Sequence, residues 1–269
     1  MSHEASTTNH ETISVVLSRV PADEQELWGA QFVAVEAALQ QRGICVACVD
    51  SIYDLREDDP GAEFLRSLTG EMIVLGWHHP RALKWTLARQ GVNVAGRTLY
   101  CMDLRGVKPD AVTLRVSEML AGRVCTAGAS PAPASVTARW YPVVDAEKCT
   151  NCMECMDFCL FGVYGVDHTA TLRVVQPDQC RVDCPACSRV CPAGAIIFPK
   201  YRSNETIAGS LEGAEQGGVK LNLSDLFGKP QGRHQAALER DGELQKVGRN
   251  SRGAEQVQKL AQEFEKLEL

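Results

Sequence analysis

Eight of the chain's twelve cysteines lie between Cys149 and Cys191, in two groups of four. The first group, Cys149, Cys152, Cys155 and Cys159, has the spacing C-x2-C-x2-C-x3-C. The second, Cys180, Cys184, Cys187 and Cys191, ends C-x2-C-x3-C-P but opens with a C-x3-C step. Thiolates two residues apart on a tight loop can wrap three corners of one small inorganic cube. The cysteine three further on sits a helical turn away and faces elsewhere. A zinc ribbon needs only four ligands and leaves the regular triplets unexplained. Disulfides fit less well still, since no secretory signal is visible and cytosolic thiols stay reduced.

Residues 140–202, which carry both groups, resemble the bacterial dicluster ferredoxins, where the fourth cysteine of each motif ligates the other cluster. The resemblance implies two 4Fe–4S clusters. One would take Cys149, Cys152, Cys155 and Cys191, the other Cys180, Cys184, Cys187 and Cys159. Leu160 follows Cys159 where the family has proline, whereas Pro192 does follow Cys191. The C-x3-C step leaves a three-iron cluster open in the second set. Around the cysteines, 141–145, 162–167, 172–176 and 195–201 read as short apolar strands, with a short helix starting in each group. That is the two-fold βαβ pattern of a ferredoxin-like module.

The elements that would position such a module begin upstream. After an arm at 1–11, β-branched runs at 13–20, 44–50, 72–77 and 98–104 alternate with helical periodicity at 23–41, 63–68, 80–90 and 111–120. Pro80 opens the third helix and Gly91 closes it, the usual proline-first, glycine-last order. The alternation predicts a flavodoxin- or Rossmann-like parallel sheet over 12–121, covered by helices on both faces. The fold class is thus α/β plus α+β. Residues 122–139, rich in Ala, Pro and Ser, read as a linker. Residues 203–269 read as a partly helical extension. Within it, Leu221, Leu223, Leu226 and Phe227 could anchor to a neighbouring surface. Val257, Leu260, Ala261, Phe264 and Leu267 form one stripe of a helix over 254–269.

The turn after the first strand, SRVPADEQ, has no glycine. It offers neither a dinucleotide turn nor a phosphate loop, nor the Ser/Thr-rich loop of flavodoxins. Trp77, His78 and His79 stand at the end of the third strand, where such sheets present ligands. They could bind metal, move protons or hold an anion, or simply pack. Asp50, ending the second strand, reads as a loop or helix cap. Cys45, Cys48 and Cys101 are expected in the core.

The formal charge of −6 argues against nucleic acid as a partner, and no apolar run reaches membrane-span length. A cytoplasmic location is expected. Within 140–202 seven acidic side chains face six basic ones, so charge steering by this module is expected to be weak. The sequence thus points to an electron carrier, or an electron-transfer subunit of an oxidoreductase. Its partners would be redox proteins, with the α/β domain as docking module. The alternative is a redox enzyme binding a substrate or cofactor near Trp77–His79 and fed by the clusters.

Overall fold

The computed structural model describes residues 12–126, 129–134 and 136–211. β1 (Thr12–Ser18) is buried at six of its seven positions, as a strand covered on both faces must be. The chain continues through α1 (Gln25–Gln41), β2 (Ala47–Val49), α2 (Pro60–Ser67), β3 (Glu71–Gly76), α3 (Pro80–Arg89), β4 (Leu99–Asp103) and α4 (Pro109–Leu120). The strands are parallel, in the order β2-β1-β3-β4. Successive residues of β1 and β3 point to opposite faces. Ile13, Val15, Leu17, Ile73 and Leu75 pack with Phe32, Val35 and Leu39 of α1 and Val112 and Val116 of α4. Val16, Met72 and Val74 pack with Leu65 of α2 and Leu87 of α3. Because β2 and β3 flank β1 on opposite sides, the carboxyl ends of β1 and β3 form the switch point where such sheets bind ligands.

Several boundaries differ from those the sequence predicts. α2 starts at Pro60, three residues earlier than expected, because proline fits the first helical position. β2 keeps only three residues, so Cys45 falls outside the pleat and is exposed, while Cys48 is buried and Cys101 half-buried. The Cys48 thiol contacts the Glu36 carboxylate at 3.1 Å, and burial and that contact push its pKa up to about 12.

The described residues between 122 and 139 are joined to the sheet at several points. β5 (Val124–Cys125) pairs in parallel with Thr12 and Ile13 of β1. Beyond it, the Cys48 amide donates to Ser130 Oγ, the Ala134 amide to Asp50 and the Arg139 amide to Asp54. The described part of the stretch that reads as a tether thus adds a short strand and exchanges hydrogen bonds with Cys48, Asp50 and Asp54. Asp50 therefore caps no helix.

The second part comprises β6 (Val143–Val144), α5 (Glu154–Phe158), β7 (Tyr164–Val166), β8 (Leu172–Val174), α6 (Ala186–Val190) and β9 (Ile196–Ile197). It reads as two βαβ halves, β6–α5–β7 and β8–α6–β9. Each half lends one strand to each ladder: β6 pairs antiparallel with β9, and β7 with β8. The strand expected over 195–201 ends at Ile197. Pro199 has no amide to donate, and the Phe198 amide turns to Ile207 O, in α7 (Glu205–Ala208). The arm at 1–11 and everything expected over 212–269, including both apolar groups named above, lie outside the described residues.

The two parts share one apolar cluster, in which Tyr53, Ala82 and Trp85 meet Tyr141, Val143 and Ile197. The rings of Tyr53 and Tyr141 stack with centroids 4.3 Å apart. The Tyr53 hydroxyl donates to Tyr141 O and accepts from the Tyr141 amide, while the Tyr141 hydroxyl donates to Tyr53 O. Two buried phenols are thereby fully satisfied, which fixes the relative position of the two parts.

Candidate metal centre

Each cysteine group sits on an irregular loop that runs into a short helix. In the first, Asn151 and Met153 adopt left-handed backbone at φ 59° and 65°. These residues flank Cys152 and bend the loop around it. Asn151 is also tied to the β7–β8 hairpin: its side chain donates to Ala170 O and accepts from the Leu172 amide. In the second loop Asp183, immediately before Cys184, takes the same left-handed backbone at φ 60°. Asn and Asp tolerate that conformation better than most residues. The extra residue of the C-x3-C step therefore falls between Cys180 and Asp183. The bend before the second cysteine is the same in both loops.

The thiols gather across the sequence as well as along it. Cys155 lies within electrostatic reach of Cys187, Cys191, Cys152 and Cys149. Cys180 lies within the same reach of Cys187, Cys184 and Cys159. Cys191 thus lies near Cys155 of the first group and Cys159 near Cys180 and Cys187 of the second, while Cys155 and Cys187 also lie near each other. Cys155, Cys187 and Cys191 are buried, Cys152 is exposed, and the others are half-buried. Burial, reinforced by neighbouring thiols, pushes Cys180 and Cys187 up to about 12 and Cys155 higher still. Unligated, these sulfurs are neutral. Binding to iron would deprotonate them, so loading releases protons.

A cavity of about 740 Å³ is lined by Cys159, Cys180, Cys184 and Cys187, with Phe158, Leu160, Phe161 and Val182 around them. Leu160 is 92% exposed and Val182 68%. Donors to sulfur are present too: the Ala195 amide to Cys191 Sγ at 3.3 Å and the Tyr164 hydroxyl to Cys187 Sγ at 3.1 Å. Among the described residues, no three His, Cys, Asp or Glu side chains are set to hold a single metal ion. A chamber with four thiols spread over its wall, one of them accepting from the Tyr164 hydroxyl, fits an iron–sulfur cluster.

The strand-end residues are placed differently. Trp77 is buried, donates from Nε1 to Ser18 O and stacks on Trp28. His79 bonds Glu205 through Nε2 at 2.6 Å, and its Nδ1 lies 3.9 Å from Asp103. The crevice beside them is filled by Lys200 from the cysteine-rich part. Lys200 is 8% exposed, pairs with Asp23 at 2.7 Å and Asp54 at 2.8 Å, and lies over the Tyr53 ring. Sequence periodicity carries no sign of Lys200, since its partners lie 146 and 177 positions away.

His78 is buried against Tyr53, and its Nε2 has no hydrogen-bond partner. Burial, with Arg105, Lys200 and His79 nearby, pushes its pKa down to about 3. The folded chain keeps the ring neutral, while the unfolded chain takes up a proton near the ordinary value of 6.5. Stability is therefore fully present above about 6.5 and is lost as pH falls towards 3, by about 1.4 kcal/mol per pH unit. A His78→Leu variant is expected to lack this slope. Denaturant unfolding of both proteins at pH 7 and 5.5 measures it, and parallel losses in the two would exclude His78 as the source.

No helix among the described residues is long and apolar enough to cross a membrane. No family model matches this sequence. An uncharacterized ferredoxin of Methanocaldococcus jannaschii is 44% identical over 61 residues, 22% of this chain and 41% of that protein. The chain thus spans less than half the length of this curated relative. A segment of this chain is similar to a ferredoxin.

Proposed function

We propose that the protein transfers single electrons between redox partners through two 4Fe–4S clusters. One would be held by Cys149, Cys152, Cys155 and Cys191, the other by Cys159, Cys180, Cys184 and Cys187. The observation that supports this reading best is the 740 Å³ cavity lined by Cys180, Cys184 and Cys187 of one group and Cys159 of the other, with Cys191 placed near Cys155. When bound, each cluster supplies a centre that accepts one electron and passes it on. The chain supplies thiolates, donors such as the Ala195 amide and Tyr164 hydroxyl, and exclusion of water. Those terms tune the potential. Exposed Leu160 and Val182 line the cavity of the second quartet, and a partner would meet that quartet there through apolar contact.

The N-terminal sheet supports a scaffolding role, and partner recognition, better than binding of a separate substrate. Its switch-point crevice holds Lys200, Trp77 and His79 are bonded within the chain, and His78 is buried against Tyr53. Anaerobically purified protein is expected to contain about eight iron and eight sulfide per chain, with broad visible absorbance that bleaches on dithionite. Metal analysis and absorption spectroscopy check this. Stoichiometric zinc without iron would overturn the reading.

A further inference from the structure

We infer that Arg81, on the first turn of α3 in the N-terminal part, is a positioning residue for one cluster only, that of Cys149, Cys152, Cys155 and Cys191. The inference rests on the proposed crossed ligation. Arg81 is buried, and its Nε donates to the Asp145 carboxylate at 2.5 Å while its Nη2 donates to Gly194 O at 2.7 Å. Asp145 organises the turn that leads into Cys149. Its carboxylate accepts from the Glu147 and Lys148 amides, and its carbonyl from the Cys149 amide at 2.9 Å. Gly194, at φ 59°, closes the turn after Cys191, and its amide donates to Cys191 O. The next amide, of Ala195, donates to Cys191 Sγ, and Ala195 O accepts from the Asp145 amide.

One guanidinium therefore clamps the turns carrying the first and last ligands of the same quartet, residues 42 positions apart along the chain. The planar fork of arginine suits this, because its donors point in fixed and different directions. A lysine at this position keeps the charge beside Asp145 but gathers its donors on one atom at the end of a differently shaped stem, so it does not reproduce the two separated nitrogens that reach carboxylate and carbonyl here. The other quartet's first loop is braced separately: Asp178, two residues before Cys180, accepts from Arg139 and Arg56.

The experiment uses the full chain, loaded anaerobically, with the unaltered protein, Arg81→Ala, Arg81→Lys and Lys84→Ala side by side. Lys84→Ala removes the exposed Lys84–Glu147 pair one turn along the same helix and serves as control. The readouts are iron per chain, paramagnetic resonance of the reduced protein, and the midpoint potential of each signal. Arg81→Ala is expected to fall to about half the iron of the unaltered protein. Its remaining signal should match that of Cys152→Ser, a variant lacking a ligand of the same quartet. Arg81→Lys should keep both clusters, with the potential shifted for that quartet alone, and Lys84→Ala should change nothing. If Arg81→Ala does not fold, Arg81→Lys decides, and two unshifted potentials overturn the inference. Equal loss or shift of both clusters overturns it as well. Absence of iron–sulfur signals in the unaltered protein would instead overturn the proposed function.

Discussion

Cys191→Ser is expected to remove the cluster whose other ligands lie some 40 residues upstream, leaving its neighbours Cys184 and Cys187 loaded. Its reduced spectrum should reproduce that of Cys152→Ser. Cys159→Ser should reproduce that of Cys184→Ser. Each variant should lose up to about half of the iron. The expectation comes from the proximity of Cys191 to Cys155 and of Cys159 to Cys180, which follows from the pairing of β6 with β9 and β7 with β8. Paramagnetic resonance of the four reduced variants compares them directly. If Cys191→Ser matches Cys184→Ser, ligation is local and the crossed assignment is wrong.

The second large effect is structural. Lys200→Met should cost about 3–5 kcal/mol, because it leaves the Asp54 carboxylate, which has no exposed surface, without its cation. In a chain of this size that corresponds to a fall in Tm of roughly 10 °C. Adding Asp54→Asn should recover most of the loss, since the amide carries no charge and can still accept from the Arg139 amide. Thermal unfolding of the loaded single and double variants closes the cycle. An unchanged Tm in Lys200→Met would show that the pair contributes nothing net.

The parts legible in the sequence are those with a local signature. Cysteine spacing marks the two loops and their helices, and Pro80 with Gly91 marks α3 almost to the residue. The alternating apolar runs give the parallel sheet. What escapes is tertiary. Arg81, Lys200 and the Tyr53–Tyr141 pair join positions 64 to 177 apart, and no period or spacing announces them. Composition over 122–139 does not show that its described residues add β5 to the sheet and hydrogen-bond to Cys48, Asp50 and Asp54. Cys45 shows the cost of starting β2 three residues early: outside the strand's true start, a cysteine predicted to be buried is exposed.

Lys200 also orders events during synthesis. The whole N-terminal sheet has left the ribosome long before residue 200 is made, so Asp23 and Asp54 wait beside an open crevice while both cysteine loops emerge. The Lys200–Asp23 and Arg202–Glu24 contacts span 177 and 178 positions, among the costliest loops this chain closes. Closure of the crevice therefore comes late, once the segment just past the last cysteine has folded back onto the sheet. A nascent chain in which Cys191 has cleared the ribosome but Lys200 has not would therefore carry all eight cysteines of the two groups outside while the crevice is still open.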